Sequence, residues 1–244
     1  MILLLAAVPE ETCLLREALA ADKCRSVHGL SLWSGQLHGR PVALAHTGVG
    51  KAAAAAAAAT LLAAGRYRAL WLFGCGGACP GSGLALGDLA LADAELFADE
   101  GSLTPDGFRD LHALGVTMRC EPERYDNRWP VDTTLHDRAW PILQQHAEGA
   151  GRTLRRGLFV TVSTCTGTSR GARELVQRTG GLCENMEGAA VALVCNQFGL
   201  PLLEVRGISN RVEDRDPARW DLPAGMQAAQ QAILALLPAL GGDA

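Results

Sequence analysis

Apolar residues along this chain fall into short unbroken runs and longer stretches with helical periodicity. The runs 2–8, 69–73 and 202–208 have the length of buried strands. The stretch 51–64 is almost entirely Ala and Leu, and because Ala is the best helix former it predicts a helix. Since predicted strands and helices alternate throughout 1–244, we expect a single α/β domain, its central sheet mixed or largely parallel between flanking helices.

The same patterns predict the remaining elements. In chain order they are a helix at 9–21, strands at 30–35, 41–46 and 86–95, a helix at 133–149, a strand at 157–163, and helices at 169–178, at 185–198 and up to 240. Two polar regions have no clear period, namely 99–131 and the charged segment 211–221. We expect both to be loops.

Composition narrows the classes of partner. The net charge is −4 and no basic cluster occurs, which argues against nucleic acid as a partner. The apolar run 2–8 has no basic flank and is too short for a signal peptide or a membrane span. The eight cysteines form no CxxC pair, and the histidines do not have zinc-like spacings around them. We therefore expect a cytoplasmic protein with no membrane partner, no metal site and mostly buried, reduced cysteines.

The first of two Gly-containing turns invites a phosphate-binding interpretation. In 46–51 the motif fails, because Ala52 stands where a phosphate loop needs Ser or Thr. In the second turn, Gly74-Cys75-Gly76-Gly77, the glycines allow close approach of either a ligand or a neighbouring element. The sequence leaves both alternatives open for the second turn.

An acidic cluster precedes the Ala-rich segment near residue 190. Glu184 and Glu187 enclose Asn185 and Met186 at the start of a predicted helix. A carboxylate there could simply interact with the helix dipole, which contributes ~0.3–1 kcal/mol. Two carboxylates and an amide exceed what helix capping requires, so we expect a binding site.

A second polar group ends the strand 202–208. Glu204 and Arg206 are two residues apart among apolar neighbours, and buried charges are costly unless they are paired. We expect Arg206 to pair with Glu204 or with Glu10 or Glu11, and a purely structural ion pair is the alternative. Ligands of open α/β sheets bind at such strand ends.

Together, the segments 184–190 and 204–210 resemble the nucleoside phosphorylase and nucleosidase superfamily, and most closely its futalosine hydrolase branch. The resemblance extends over nearly the whole chain except about 99–131. It implies that Met186 and Glu187 hold the ribose. It also implies that Glu11 orients and deprotonates the attacking water while Arg206 fixes the carboxylate.

Other segments of the chain resemble superfamily motifs that line the purine base. Gly76 and Gly77 resemble its Gly-Gly element, and 161–168 occupies the place of a loop that lines the base, so Cys165 and Thr166 are implied to contact it. The resemblance further implies a homo-oligomer and no cofactor.

Asn210 departs from the related methylthioadenosine and adenosylhomocysteine nucleosidases, which carry Asp at this position. These nucleosidases also have Ser in place of Gly74 and an aromatic residue near Cys165. An amide can donate to O6 of a 6-oxopurine and accept from a protonated N7, whereas a 6-aminopurine suits Asp. Asn210 is therefore the expected catalytic contact to a 6-oxopurine leaving group.

The charged segment that follows Asn210 contains Trp220, a large apolar residue in polar surroundings. We expect this segment to be a lid over the bound nucleoside, with Trp220 in the binding site. Futalosine carries a benzoate, which Arg215 or Arg219 could bind in a bidentate manner.

These expectations describe an N-glycosidase that hydrolyses futalosine to hypoxanthine and dehypoxanthine futalosine, in the menaquinone route through futalosine. The alternative enzymes are a phosphorylase acting on inosine and a methylthioadenosine/adenosylhomocysteine nucleosidase. A nucleoside-binding relative without catalysis is the alternative from another class.

Overall fold

The computed structural model of the chain describes residues 1–120 and 123–240, without the side chains of 20–22. Its strands are β1 (Ile2–Ala6), β2 (Ala20–Val27), β3 (Leu30–Leu37), β4 (Arg40–His46), β5 (Ala69–Ala78), β6 (Leu89–Phe97), β7 (Gly101–Thr104), β8 (Gly107–Asp110), β9 (Arg128–Pro130), β10 (Leu154–Thr161), β11 (Cys183–Asn185) and β12 (Leu202–Arg211).

The α-helices are α1 (Cys13–Ala18), α2 (Lys51–Ala64), α3 (Thr133–Gly149), α4 (Ser169–Thr179), α5 (Gly188–Phe198) and α6 (Leu222–Leu240). Short 3-10 helices span Pro9–Thr12 and Pro217–Arg219. In the described part of the chain, no helix combines the length and apolar character needed to cross a membrane.

One mixed sheet organises the described residues. Its strand order is β11-β10-β6-β12-β5-β1-β4-β3-β2, and β9 pairs with β6. Strand β11 also pairs with β5, so that β5, β12, β6, β10 and β11 form a closed ring of paired strands. The central pairs β4–β1, β1–β5 and β5–β12 are parallel. The predicted fold class is therefore confirmed.

The alternation of side chains along β1 divides the hydrophobic core into two layers. Leu3 and Leu5 belong to a cluster that includes residues of α2 and α5. Ile2 and Leu4 point to the opposite face, where they join residues of α1, α3 and α6. Because successive strand residues face opposite sides, an unbroken apolar run is what a strand covered on both faces requires.

Three parts of the prediction were wrong. The predicted helix 9–21 is a 3-10 turn followed by the six residues of α1, and the chain then enters the edge strand β2. The supposed loop 99–131 contains the hairpin β7–β8 and the strand β9. The predicted helix 185–198 begins only at Gly188, because residues 183–185 form β11. Each missed strand is short or on an edge, where pairing rather than periodicity decides the structure.

Helix α6 lies directly on β12 through two glycines. A Cβ at Gly207 would lie 2.0 Å from the carbonyl oxygen of Gly225. The backbone N–H of Asp221 donates to the carbonyl of Ser209 over 2.8 Å and fixes the start of the helix. The chain that leaves β12 is therefore held close to the strand end.

We expect Gly207→Ala to lower the free energy of unfolding by about 1–3 kcal/mol, since the added methyl group overpacks this contact. Denaturant unfolding measures the loss. Gly149→Ala is the matched control, because a Cβ at Gly149 meets nothing within 4 Å. Equal stability of the two variants would show that α6 can move away from β12 without cost.

Candidate active site

A cavity of about 300 Å³ opens at the carboxyl ends of β1, β5 and β12 and at the start of α5. Its lining includes all ten residues expected from the sequence, from six separate parts of the chain: Glu11, Gly76, Gly77, Cys165, Thr166, Met186, Glu187, Arg206, Asn210 and Trp220. The structure thus brings the complete predicted set together. Their chemical roles stay predictions.

Glu11 lies in the 3-10 turn that follows β1 and is 5% exposed. Its carboxylate accepts hydrogen bonds from the backbone N–H groups of Cys75 at 2.7 Å and Ala7 at 2.9 Å. Burial raises the pKa of Glu11, while Arg206 and these N–H groups act in the opposite direction. A carboxylate with a raised pKa is a stronger base, which suits proton abstraction.

The backbone at Gly74 makes room for this carboxylate. Gly74 has φ +154°, and a Cβ there would lie 2.5 Å from Oε1 of Glu11. Of the two alternatives left open for this Gly-rich turn, close approach of another element therefore applies at Gly74. The side-chain position of Glu11 depends on the absence of a side chain at residue 74.

Arg206 is buried and holds two carboxylates. Its Nε donates to Glu204 over 2.8 Å, and its Nη1 donates to Glu187 over 3.3 Å and to the carbonyl of Cys75 over 3.1 Å. The predicted pairing with Glu204 is confirmed. The expected contact of Arg206 with Glu11 is wrong, because among the described residues its ion pairs are those with Glu204 and Glu187.

The other predicted partner, Glu10, is exposed. The carboxylate of Glu11 is fixed by backbone N–H groups that the turn after β1 and the end of β5 supply. Sequence reasoning missed these donors because they belong to the main chain.

Glu187 is the residue that precedes α5, and it is 4% exposed. Its Oε1 accepts the backbone N–H of Gly50 at 3.0 Å, and its Oε2 faces Arg206. Asn185 accepts the backbone N–H groups of Glu187 and Gly188 at 2.9 and 2.7 Å. Glu187 is therefore a buried ion-pair partner, which excludes the simple interaction with the helix dipole as its whole role.

Asn210 and Glu184 flank Gly77 at another part of the cavity. Both are Cα partners of Gly77 across the sheet, Asn210 on β12 and Glu184 on β11. A Cβ at Gly77 would lie 2.8 Å from Cγ2 of Val212 and 3.2 Å from Nδ2 of Asn210. Ser209 donates to Oδ1 of Asn210 over 2.9 Å. Gly77 therefore permits the close approach of these neighbouring strands, and Asn210 and Glu184 both line the cavity beside it.

Glu184 lines the cavity, although the sequence assigned it no role of its own within the acidic cluster. Its carboxylate accepts the backbone N–H of Thr166 at 3.0 Å and the Thr166 hydroxyl at 2.5 Å. Burial raises its pKa. Its place in the acidic cluster 184–187 was the signal that could have identified it.

The polarisable side chains of Cys165 and Met186 meet at the cavity, where Sγ of Cys165 lies 3.3 Å from Sδ of Met186. Further cavity residues that the analysis missed are the apolar Val8, Val49, Leu222 and Met226, and also Cys75 and Ser209. Apolar residues of this kind carry no distinctive sequence signal, because an apolar side chain in a loop also fits ordinary packing.

The segment 211–221 is attached across the loop that follows β10. The backbone N–H of Arg215 donates to the carbonyl of Gly167 over 3.1 Å, and Ser169 donates twice to Asp214 over 2.8 Å. The guanidinium of Arg215 lies over the ring of Trp220, 4.4 Å from its centroid. This arrangement places Trp220 at the cavity, as expected.

The structure distinguishes the two candidate arginines of this segment. Arg215 lines the cavity. Arg219 is instead paired with Glu213 over 2.8 Å and is not among the lining residues. Arg219 is therefore the wrong candidate for a substrate contact, and Arg215 remains.

Comparison with known proteins identifies the family. The model of the phosphorylase superfamily matches residues 1–240. The chain belongs to the phosphorylase superfamily. A futalosine hydrolase from Thermus thermophilus is 37% identical over 213 residues, which cover 86% of this chain and 87% of the relative. The predicted resemblance to the superfamily and to its futalosine hydrolase branch is confirmed.

Solved structures within the superfamily share the fold. A Neisseria meningitidis 5'-methylthioadenosine/S-adenosylhomocysteine nucleosidase in complex with methylthio-immucillin-A has a TM-score of 0.84 at 23% identity, covering 98% of this chain and 99% of that one. The native futalosine hydrolase of Helicobacter pylori has a TM-score of 0.82 at 21% identity, with coverages of 98% and 97%. At these identities the likeness concerns the fold alone.

The geometry of Glu187 predicts the effect of removing its charge. We expect Glu187→Gln to lower the free energy of unfolding by about 1.5–3 kcal/mol, because Arg206 loses a charged acceptor. Thermal unfolding measures this change, and Glu17→Gln on the exposed side of α1 is the matched control. A loss as small as that of the control would mean that Glu187 interacts only with the helix dipole.

Proposed function

We propose that this protein hydrolyses futalosine to hypoxanthine and dehypoxanthine futalosine. The observation that carries the proposal is that one cavity is lined by the amide of Asn210 and the carboxylate of Glu184 together with Glu11 and Glu187. The 37% identity to a futalosine hydrolase supports the choice of substrate.

A 6-oxopurine has two edges that are complementary to Asn210 and Glu184. Asn210 can donate to O6 through its NH2 group and accept from a protonated N7 through its carbonyl. Glu184, when ionised, can accept the N1–H that a 6-oxopurine carries. Adenine has an unprotonated N1 and an amino group at C6, so both contacts would be unfavourable, and unpaired buried polar groups give strong discrimination.

Glu187 and Glu11 complete the hydrolysis. Glu187 accepts hydrogen bonds from the ribose hydroxyls and stabilises the positive charge that develops on the sugar as the C1′–N9 bond breaks. The bonding electrons leave with the purine, which takes up a proton at N7. Glu11 accepts a proton from the attacking water while the water oxygen bonds to C1′. Overall, OH from water joins the sugar and hydrogen joins the base.

The charges in the cavity favour water over phosphate as the nucleophile. Four carboxyl groups line it, those of Glu11, Glu184, Glu187 and Glu213, against three guanidinium groups, those of Arg206, Arg211 and Arg215. The guanidinium of Arg206 is already paired with Glu187 and Glu204. An incoming phosphate would meet more negative than positive charge, which argues against a phosphorylase acting on inosine.

The proposal also includes the menaquinone route through futalosine and a homo-oligomeric state, both implied by the family resemblance. The cytoplasmic location stays a prediction from the sequence.

We expect purified protein to release hypoxanthine from futalosine without added phosphate, and to act far more slowly on methylthioadenosine. Asn210→Asp should shift the ratio of kcat/KM towards methylthioadenosine by at least about tenfold, because Asp suits a 6-amino group. Asn196→Asp near the far end of α5 is the matched control. Chromatography of the released bases measures this preference. Faster release of adenine than of hypoxanthine by the unaltered protein would refute the proposal.

We expect Arg215→Gln to raise KM for futalosine about tenfold while leaving inosine little affected, since a charge-assisted contact to the benzoate contributes about 1.5–3 kcal/mol. Arg219→Gln is the matched control, because that side chain is held by Glu213. Equal changes for both substrates would remove Arg215 from recognition of the benzoate.

A further inference from the structure

Arg206 is surrounded by more buried acids than it can neutralise. Glu11, Glu187 and Glu204 all act on its charge, and Glu95 of β6 lies beside Glu204 with no exposed surface. Glu11 and Glu187 line the cavity, but Glu95 and Glu204 have no exposed surface, and ionising both would leave an uncompensated charge out of contact with water. Such charges are avoided in proteins by proton uptake, so at least one of these acids must be neutral.

The hydrogen bonds of Glu95 and Glu204 show where a proton is needed. Oε2 of Glu95 accepts from the hydroxyl of Thr161 at 2.6 Å, and Oε1 accepts from Nδ2 of Asn185 at 3.0 Å. Oε1 of Glu204 accepts from Arg206 at 2.8 Å. Oε2 of Glu204 is buried and has no hydrogen-bond partner among the described residues.

Gly188 marks the point where the two acids meet. A Cβ on Gly188 would lie 2.1 Å from Oε1 of Glu95 and 2.6 Å from Oε2 of Glu204. The two oxygens therefore face each other across the space that a side chain would fill. A proton on Oε1 of Glu95 can satisfy the unpaired oxygen of Glu204, and Oε1 can still accept from Asn185.

The electrostatics assign the proton to Glu95. Burial raises the pKa of Glu95 well above its ordinary value, and the neighbouring charge of Glu204 raises it further. Burial raises the pKa of Glu204 as well, but Arg206 opposes that change. Arg206 therefore stabilises the ionised form of Glu204, and the proton resides on Glu95.

We propose that Glu95 is a neutral carboxylic acid that donates a hydrogen bond to Glu204 and thereby positions Glu187. One route runs from Glu204 through Arg206 to Oε2 of Glu187. The other runs from Glu95 through Asn185, whose Oδ1 accepts the backbone N–H of Glu187 at 2.9 Å. Glu95 is a positioning residue, and its effect on turnover rests on the proposed function, in which Glu187 contacts the ribose.

Infrared difference spectroscopy tests the protonation without any substrate. The unaltered protein minus Glu95→Gln at neutral pH should show the C=O stretch of a protonated carboxylic acid, which carboxylates lack. The matched control, Glu17→Gln, removes an exposed carboxylate and should show the carboxylate bands only. If the Glu95 difference spectrum has carboxylate bands and no acid band, Glu95 is ionised and the proposal fails.

Kinetics and structure test the positioning. Gln at position 95 keeps a neutral donor, so Glu95→Gln should stay within about threefold of the unaltered kcat. Glu95→Leu removes the donor and should lower kcat about 10²-fold with a smaller change in KM, because the sugar contact shifts. If the Leu variant does not fold, Glu95→Asp replaces it in this test, because the shorter side chain withdraws the acid from Glu204 by one methylene.

Crystal structures of the variants supply a readout that is independent of turnover. The distance from Nη1 of Arg206 to Oε2 of Glu187, 3.3 Å here, should be kept in Glu95→Gln and lengthened in Glu95→Leu. Equal loss of kcat in both variants, or an unchanged distance in Glu95→Leu, would overturn the positioning role. If the unaltered protein cleaves no futalosine, the proposed function fails, while the spectra and structures still decide the role of Glu95.

Discussion

The burial of one guanidinium constrains the centre of this molecule. Arg206 is 2% exposed on a central strand, where an unpaired charge would be strongly destabilising. The chain meets this constraint by bringing Glu204 from the same strand and Glu187 from the start of α5 into ion pairs with it. The position of α5 relative to β12, and with it the position of the candidate sugar contact, is therefore coupled to the pairing of a single charge.

Glycines determine how closely the surrounding elements approach this centre. A side chain at Gly74 would displace the carboxylate of Glu11, and one at Gly188 would enter the space where Glu95 and Glu204 meet. A side chain at Gly77 would overlap Val212 and crowd the amide of Asn210. All three glycines thus serve close packing, and in the Gly-rich turn 74–77 the close approach of a neighbouring element applies at both Gly74 and Gly77.

Two pairs of cavity residues offer different chemistry. Glu11 and Glu187 are held by backbone N–H groups and Arg206, in an environment suited to a sugar that gains positive charge. Asn210 and Glu184 offer directional hydrogen-bonding groups suited to one face of a base. Under the proposed function, Asn210 contacts the departing base, whereas Glu11 and Glu187 act at the sugar.

The sequence by itself determined the parts of this protein that depend on local pattern. The buried strands at 2–8, 69–73 and 202–208 and the helix 51–64 follow from apolar runs and helix propensity, and the motifs at 184–190 and 204–210 gave the superfamily. Tertiary structure alone decided the three-residue strand β11, because its formation depends on pairing with β10 and β5 at once. It also decided that Glu95 is buried: its partners Asn185 and Glu204 are about 90 and 109 residues away in the chain, and only the closed ring of strands brings these three side chains into contact.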